Sequence, residues 1–340
     1  DQRVSCSVPI SGHTYGQPSF LYPPMITMDS SNDMFMAFEY QISDYPIVAG
    51  ICINSTYRAL PIYGDDFVNT VNAIAEADGN IHVVGSIYNY RYYCTGGENS
   101  ESFPFECAAI WKSDTDYTAE FLMVPELPYV YATRALSVSV DNGHIYVLGN
   151  GSEYHDGEYY VDYVGYWLDG VFHDQTALLT SISKMSSFSV SQIEVHNGVV
   201  YESGQYVTSE TGGYYSHVFY IKDGVLTVLD DIVGRSADFY VVGMRVVNGV
   251  VYMAVNDYDG ITWRPTPKLI VGNTVTTLTP KDDTYFAQAY SLGVNNSGVA
   301  YVVGAITPKL GGLDQGAIWS TIAEPKFYDN VSDFTGVILK

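Results

Sequence analysis

Between Ala135 and Gly149 (ALSVSVDNGHIYVLG) apolar residues alternate with small or polar ones through Leu136, Val138 and Val140. Asn142-Gly143 interrupts, and the alternation resumes at Ile145 and Val147. A period of two puts successive side chains on opposite faces of a strand, and Asn-Gly supplies the positive φ of a tight hairpin turn. The stretch therefore predicts strand, turn, strand. The phrase returns at Ile74 to Gly85, Ile193 to Gly204, Val241 to Val255 and Leu292 to Gly304, with a worn copy at Ile26 to Phe38.

Each copy continues in the same way. A third apolar segment follows a longer connection, with Trp111, Trp167 or Trp319 in three of the copies, and in several a fourth follows a second tight turn such as Asp169-Gly170, Asp223-Gly224 or Gly272-Asn273. Four short antiparallel strands repeated about every 40–60 residues predict the blades of a β-propeller. The expected fold is all-β, with one domain over residues 1–340 and six blades at 20–62, 68–124, 132–180, 187–232, 238–280 and 285–330. Seven blades or an open repeat array are the alternatives. Residues 1–18 and 331–340 are expected to act as terminal closing segments. No stretch shows a helical period uninterrupted by Gly or Pro.

The phrase NGxVYVxG, then YWxxG and a short strand ending in Leu, resembles repeats of bacterial secreted and surface lipoproteins, a family of β-propellers of largely unassigned function. The resemblance covers about Ile26 to Tyr328 and implies a scaffold. It carries over no catalytic residue. The fifth repeat departs from it, with Val255 in place of the glycine and no tryptophan on its third strand.

Charge narrows the function. Lys and Arg total 15 against 38 Asp and Glu, a formal net of −23. Such a surface repels phosphate backbones and anionic lipid, which excludes nucleic acid as a partner. No run of about 18 apolar residues is present to span a membrane. The numbering opens on Asp1 without a methionine, which is read as a mature chain that has lost a secretion signal. The four cysteines fit that setting, with Cys94–Cys107 stapling one insert and Cys6–Cys52 pinning the N-terminal segment.

The tight turns are expected on one end of the repeats and the connections between second and third strands on the other. Those connections, read as loops, concentrate Tyr92, Tyr93, Tyr154, His155, Tyr159, Tyr160, Tyr214, Tyr215, Tyr258 and Trp263 beside many carboxylates. Tyrosine-rich acidic loops suit recognition of a glycan, of an extracellular protein or of further copies of the chain. A secreted or surface-displayed non-enzymatic binding or assembly module is therefore the expected function. The alternative is a carbohydrate-active hydrolase or lyase using loop carboxylates, marked by two or three convergent ionisable groups instead of an aromatic platform. No nucleophile elbow or HExxH motif is present. Asp257 and Asp259 alternate like the start of a Ca²⁺ loop, without its distal glutamate. Asn54, Asn150, Asn295 and Asn330 head N-glycosylation sequons. Glu194 and Arg245, on corresponding strands of adjacent repeats, are expected to pair.

Overall fold

The computed structural model describes residues 19–20, 25–28, 34–41, 48–54, 56–60, 68–89, 105–122, 124, 132–155, 158–279, 285–308 and 315–328. The chain divides into two compact units, Asp1–Thr176 and Ala177–Lys340.

In the first unit, β1 (Ser19–Phe20), β2 (Met25–Met28), β3 (Met34–Gln41), β4 (Val48–Ile53) and β5 (Thr56–Ala59) form one sheet, with β1 and β2 both pairing β3. A second sheet holds β6 (Val68–Ala77), β7 (Asn80–Asn89), β8 (Phe105–Lys112), β9 (Ala119–Phe121), β10 (Ala132–Asp141), β11 (His144–His155), β12 (Glu158–Leu168) and β13 (Val171–Asp174). This eight-stranded sheet is two antiparallel groups joined by one parallel bridge, Ala132 to Glu106.

The second unit has three four-stranded antiparallel sheets. They are β14 (Met185–His196) to β17 (Val225–Val228) through β15 (Val199–Glu210) and β16 (Gly213–Lys222); β18 (Asp238–Val247) to β21 (Thr274–Thr277) through β19 (Val250–Tyr258) and β20 (Pro265–Val271); and β22 (Tyr285–Val294) to β25 (Lys326–Tyr328) through β23 (Ala300–Pro308) and β24 (Gln315–Ser320). Two short helices, α1 (Thr176–Thr180) and α2 (Asp230–Val233), follow β13 and β17.

The predicted turns are in place. Asn142-Gly143, Asn197-Gly198 and Asn248-Gly249 all have positive φ at both residues, as a primed hairpin turn requires. Third-strand tryptophans Trp111, Trp167 and Trp319 are buried in the cores of their groups. A feature beyond the prediction explains the glycine that ends the repeated phrase. The first strand of five groups carries a β-bulge, at Asn72, Leu136, Ser191, Val242 and Tyr290. Opposite it stand Gly85, Gly149, Gly204, Val255 and Gly304. A Cβ on Gly85 or Gly304 would overlap the carbonyl oxygen of Thr70 or Gln288. The glycine is thus where the bulged backbone comes close.

Residues before the bulge find partners on the preceding group. Glu39 accepts from Val71 N at 2.7 Å, Gln205 from Val241 N at 3.2 Å and Asn256 from Ala289 N at 2.8 Å. Asn256 also donates to Ala289 O at 3.0 Å. Two side-chain amides and one carboxylate thus satisfy backbone groups beside the bulge.

Two expectations are corrected. The connections at 151–162 and 207–216 are not loops. β11 and β12 pair out to His155 and Glu158, and β15 and β16 pair out to Glu210 and Gly213. Thr211-Gly212 turns the chain between β15 and β16, with Glu210 paired to Gly213. The fourth strand of the third group, expected over 171–178, stops at Asp174, where Asp174 accepts from Thr176 N and α1 begins.

Candidate active site

The expected ligand-binding residues occupy separate elements. Tyr92 and Tyr93 lie outside the described residues. Tyr154 faces Tyr159 in register, Glu153 faces Tyr160 and His155 faces Glu158, so all belong to one hairpin of the first unit. In the second unit Tyr214 is exposed and Tyr215 half-buried on β16. Tyr258 closes β19, with its hydroxyl accepting from Gln288 Nε2 at 3.4 Å, and Trp263 stands exposed in the turn that follows.

The Ca²⁺ candidates already have protein partners. Asp257 pairs with Lys268 Nζ at 2.6 Å and accepts from Ser236 Oγ, while Asp259 accepts from Ile261 N, Thr262 N and Thr262 Oγ1. No group of three or more His, Cys, Asp or Glu among the described residues is arranged to hold a metal ion. Of the sequons, Asn54 sits in an exposed turn, Asn150 is half-buried within β11, Asn295 caps its own turn, and Asn330 lies outside the described residues. Cys52 and Cys107 are buried and disulfide-bonded; Cys6 and Cys94, and with them the expected pairings, lie outside the described residues.

Ionisable side chains converge at two places where the sequence marked nothing. In the first unit, Arg134 near the start of β10 pairs through Nε with Glu106 Oε2 at 2.6 Å. The parallel bridge creates this contact by bringing the start of β10 against the start of β8. Tyr88, near the end of β7, hydrogen-bonds to both partners. Glu106 is 8% exposed and Arg134 is 52% exposed, so the carboxylate is hidden and the guanidinium reaches solvent. The segment is clamped on both sides: Thr133 Oγ1 accepts from Ala108 N at 2.8 Å, and Asn72 Nδ2 donates to Ala135 O at 2.8 Å. Burial, and then Glu106, raise the Tyr88 hydroxyl above the ordinary phenol range. Burial works against the charge on Arg134, but Glu106 and Tyr88 outweigh it and raise its pKa. The outer edge of an arginine fixed in this way is suited to binding a planar carboxylate.

In the second unit, His217 is buried and stacked on Tyr206 with ring centroids 4.6 Å apart. Its Nδ1 lies 2.8 Å from Asp230 Oδ2 and its Nε2 2.7 Å from Thr208 Oγ1. Asp230 accepts from Nδ1, and the Thr208 hydroxyl can accept from Nε2 of a protonated ring or donate to it in a neutral one. Arg235 extends the chain to Glu210 at 3.2 Å. His217 is only 2% exposed and Thr208 only 4%, so the imidazole and the hydroxyl are hidden inside a network that ties β15, β16 and α2 together, while Arg235 at its outer end is 52% exposed.

No protein-family model and no curated protein matches the chain. Solved structures do. A polysaccharide lyase, an ulvan lyase of family PL25, aligns over 89% of this chain and 84% of its own, at 11% identity and a TM-score of 0.50. An α-L-arabinofuranosidase from Fusarium graminearum covers 86% of this chain and 89% of its own, at 14% identity and TM-score 0.46. A puromycin-hydrolyzing peptidase of Mycobacterium tuberculosis covers 94% of this chain but 49% of its own, at 10% identity and TM-score 0.48. The lyase likeness establishes a β-propeller-like all-β fold. It also corrects the expectation of a non-enzymatic binding or assembly module. The matching scaffold is that of a polysaccharide-cleaving enzyme.

Proposed function

We propose that the chain is a carbohydrate-active enzyme of the lyase type, cleaving a polysaccharide that contains uronic acid, with Arg134, Tyr88 and Glu106 as its reactive group. One observation carries the reading: a half-exposed guanidinium held by a buried carboxylate, with a phenol hydrogen-bonded to both.

β-Elimination next to a uronate needs the carboxylate charge neutralised, because negative charge builds on it as the C5 proton leaves. Arg134 supplies that stabilisation from a fixed position. Tyr88 takes the C5 proton while its own passes to Glu106. The C4–O bond breaks as the C4=C5 double bond forms, and the reverse transfer through Tyr88 delivers a proton to the leaving oxygen. A phenol whose pKa is raised suits this relay, since it never has to stand ionised.

In the same proposal the successive strand groups from β2 to β25 are six propeller blades. Disulfide-bonded Cys52 and Cys107 support an oxidising, extracellular setting. The test is to incubate the protein with a panel of uronate-containing polysaccharides and follow the ultraviolet absorbance of the unsaturated uronate. New reducing ends without that absorbance would mark a hydrolase, and no cleavage of any member would reject the reading.

A further inference from the structure

The second unit carries an exposed apolar tip whose construction the reaction above does not use. Between β19 and β20 the chain turns through residues 259–264, and Ile261 is 92% and Trp263 61% exposed at its summit. The turn is built from within. Asp259 accepts from Ile261 N at 2.9 Å and Thr262 N at 2.6 Å as well as from Thr262 Oγ1, and Trp263 N donates to Asp259 O at 3.0 Å. Hydrogen bonds from Thr262, first its hydroxyl and then its N–H, hold the Asp259 carboxyl below its usual range. A Cβ on Gly260 would come 2.9 Å from Ala237 Cβ, so the turn packs down on the residue before β18.

Trp263 has φ +54°. A bulky side chain in the left-handed region is unfavourable by about 1–2 kcal/mol. The surrounding hydrogen bonds hold it there, and the indole faces water. The other three tryptophans are all buried. Where this chain could hide an indole, it does.

We infer that the Ile261–Trp263 tip is a carbohydrate-binding contact for an uncharged glycan segment. Two side chains offer far less than the roughly 800 Å² per partner that a stable protein interface needs, whereas one indole face matches one sugar ring. The charges on the turn are Asp259, already engaged, and Arg264, and the chain carries net −23, which disfavours polyanionic segments here. The site is independent of Arg134 and of the reaction proposed for it.

Fluorescence provides the test, because Trp263 is the exposed indole in a set of four. Soluble hexasaccharides of xylan, mannan, β-glucan and starch are titrated into the full chain, with oligoalginate as the charged comparator. The expected result is a blue shift and loss of acrylamide quenching with at least one neutral glycan. Trp263→Ala should weaken that glycan's binding at least tenfold, measured by calorimetry, with an unchanged melting temperature. Trp263→Tyr should restore part of it. Quenching unchanged by every neutral glycan, protection by oligoalginate alone, or full binding by Trp263→Ala would overturn the inference. So would concentration-dependent self-association that Trp263→Ala abolishes, which would assign the tip to a second copy of the chain.

Discussion

Arg245 Nη1 on β18 donates to Glu194 Oε2 on β14 at 3.1 Å, joining neighbouring strand groups at corresponding positions. The pairing matches the expectation from sequence, but the side chains are 45% and 24% exposed, so the bridge is not sealed from water. Water screens such a pair. Arg245→Met should destabilise by only about 1 kcal/mol. Arg245→Glu, which places two carboxylates together, should cost about twice that. Urea denaturation of both variants and of the double mutant with Glu194→Gln measures the coupling.

Glu202 gives a pH dependence of definite sign. It is 1% exposed on β15, its Oε2 has no partner among the described residues, and burial raises its pKa from 4.5 to about 7. At the matching place in other groups stand Val83, Val147, Met253 and Val302, all buried and apolar. Because the folded value is the higher one, the native state holds the proton more tightly. The contribution of Glu202 is full below pH 4.5, erodes as pH rises to about 7, and is level beyond. The loss is at most about 3 kcal/mol. Glu202→Met should therefore stabilise the protein more at pH 8 than at pH 5, by about 2–3 kcal/mol in paired denaturation curves.

Gly304, opposite a bulge, should be harder to replace than a turn glycine, although the fifth group accommodates Val255 at the matching place. Gly304→Ala drives a Cβ into Gln288 O and should destabilise by about 3 kcal/mol or more. Gly143→Ala meets no atom within 4 Å and is strained only by its φ of +79°, so about 1 kcal/mol is expected. Thermal melts of the two variants check the order.

At the proposed active site, Arg134→Gln and Tyr88→Phe should each lower kcat/KM on a uronate polysaccharide by about 100-fold. Arg134→Lys should recover little, since a point charge does not reproduce a fork. Circular dichroism and melting temperature separate these effects from misfolding.

Salt should act in an unusual direction. A chain of net charge −23 repels a polyuronate at long range while Arg134 attracts it at contact. Screening shortens the reach of the repulsion to about 8 Å near physiological ionic strength. Moderate added salt should therefore raise kcat/KM before high salt weakens the contact, as initial rates from low to high NaCl would show.

The scaffold was more legible in the sequence than the site. Asn142-Gly143 and its relatives dictate their turns locally, and alternation dictates the strands, so both could be read from neighbours in sequence. Tyr88 and Glu106 face each other across the antiparallel β7–β8 pair, but Arg134 joins them only because one parallel bridge sets β10 against β8, a pairing that no local pattern encodes. A signal was nonetheless present: Arg134 is a basic residue just before the strand position that faces a repeat glycine, in a chain with only 15 basic residues. Glu202 was likewise visible as a charge where sister repeats carry an apolar residue. The hairpins bearing Tyr159 and Tyr214 carry no apolar alternation or Asn-Gly signal at their tips, so their pairing out to His155–Glu158 and Glu210–Gly213 is set by the continuing ladder and not by a local pattern.

The amides that reach from Gln205 to Val241 N and from Asn256 to Ala289 N run in one direction, each group supplying what the next one lacks. These repeats are therefore not interchangeable bricks. Cutting the array at such a junction leaves a buried N–H with nothing to bond, so the unit of inheritance here is the junction between repeats, and shortening or shuffling the array must keep junctions whole.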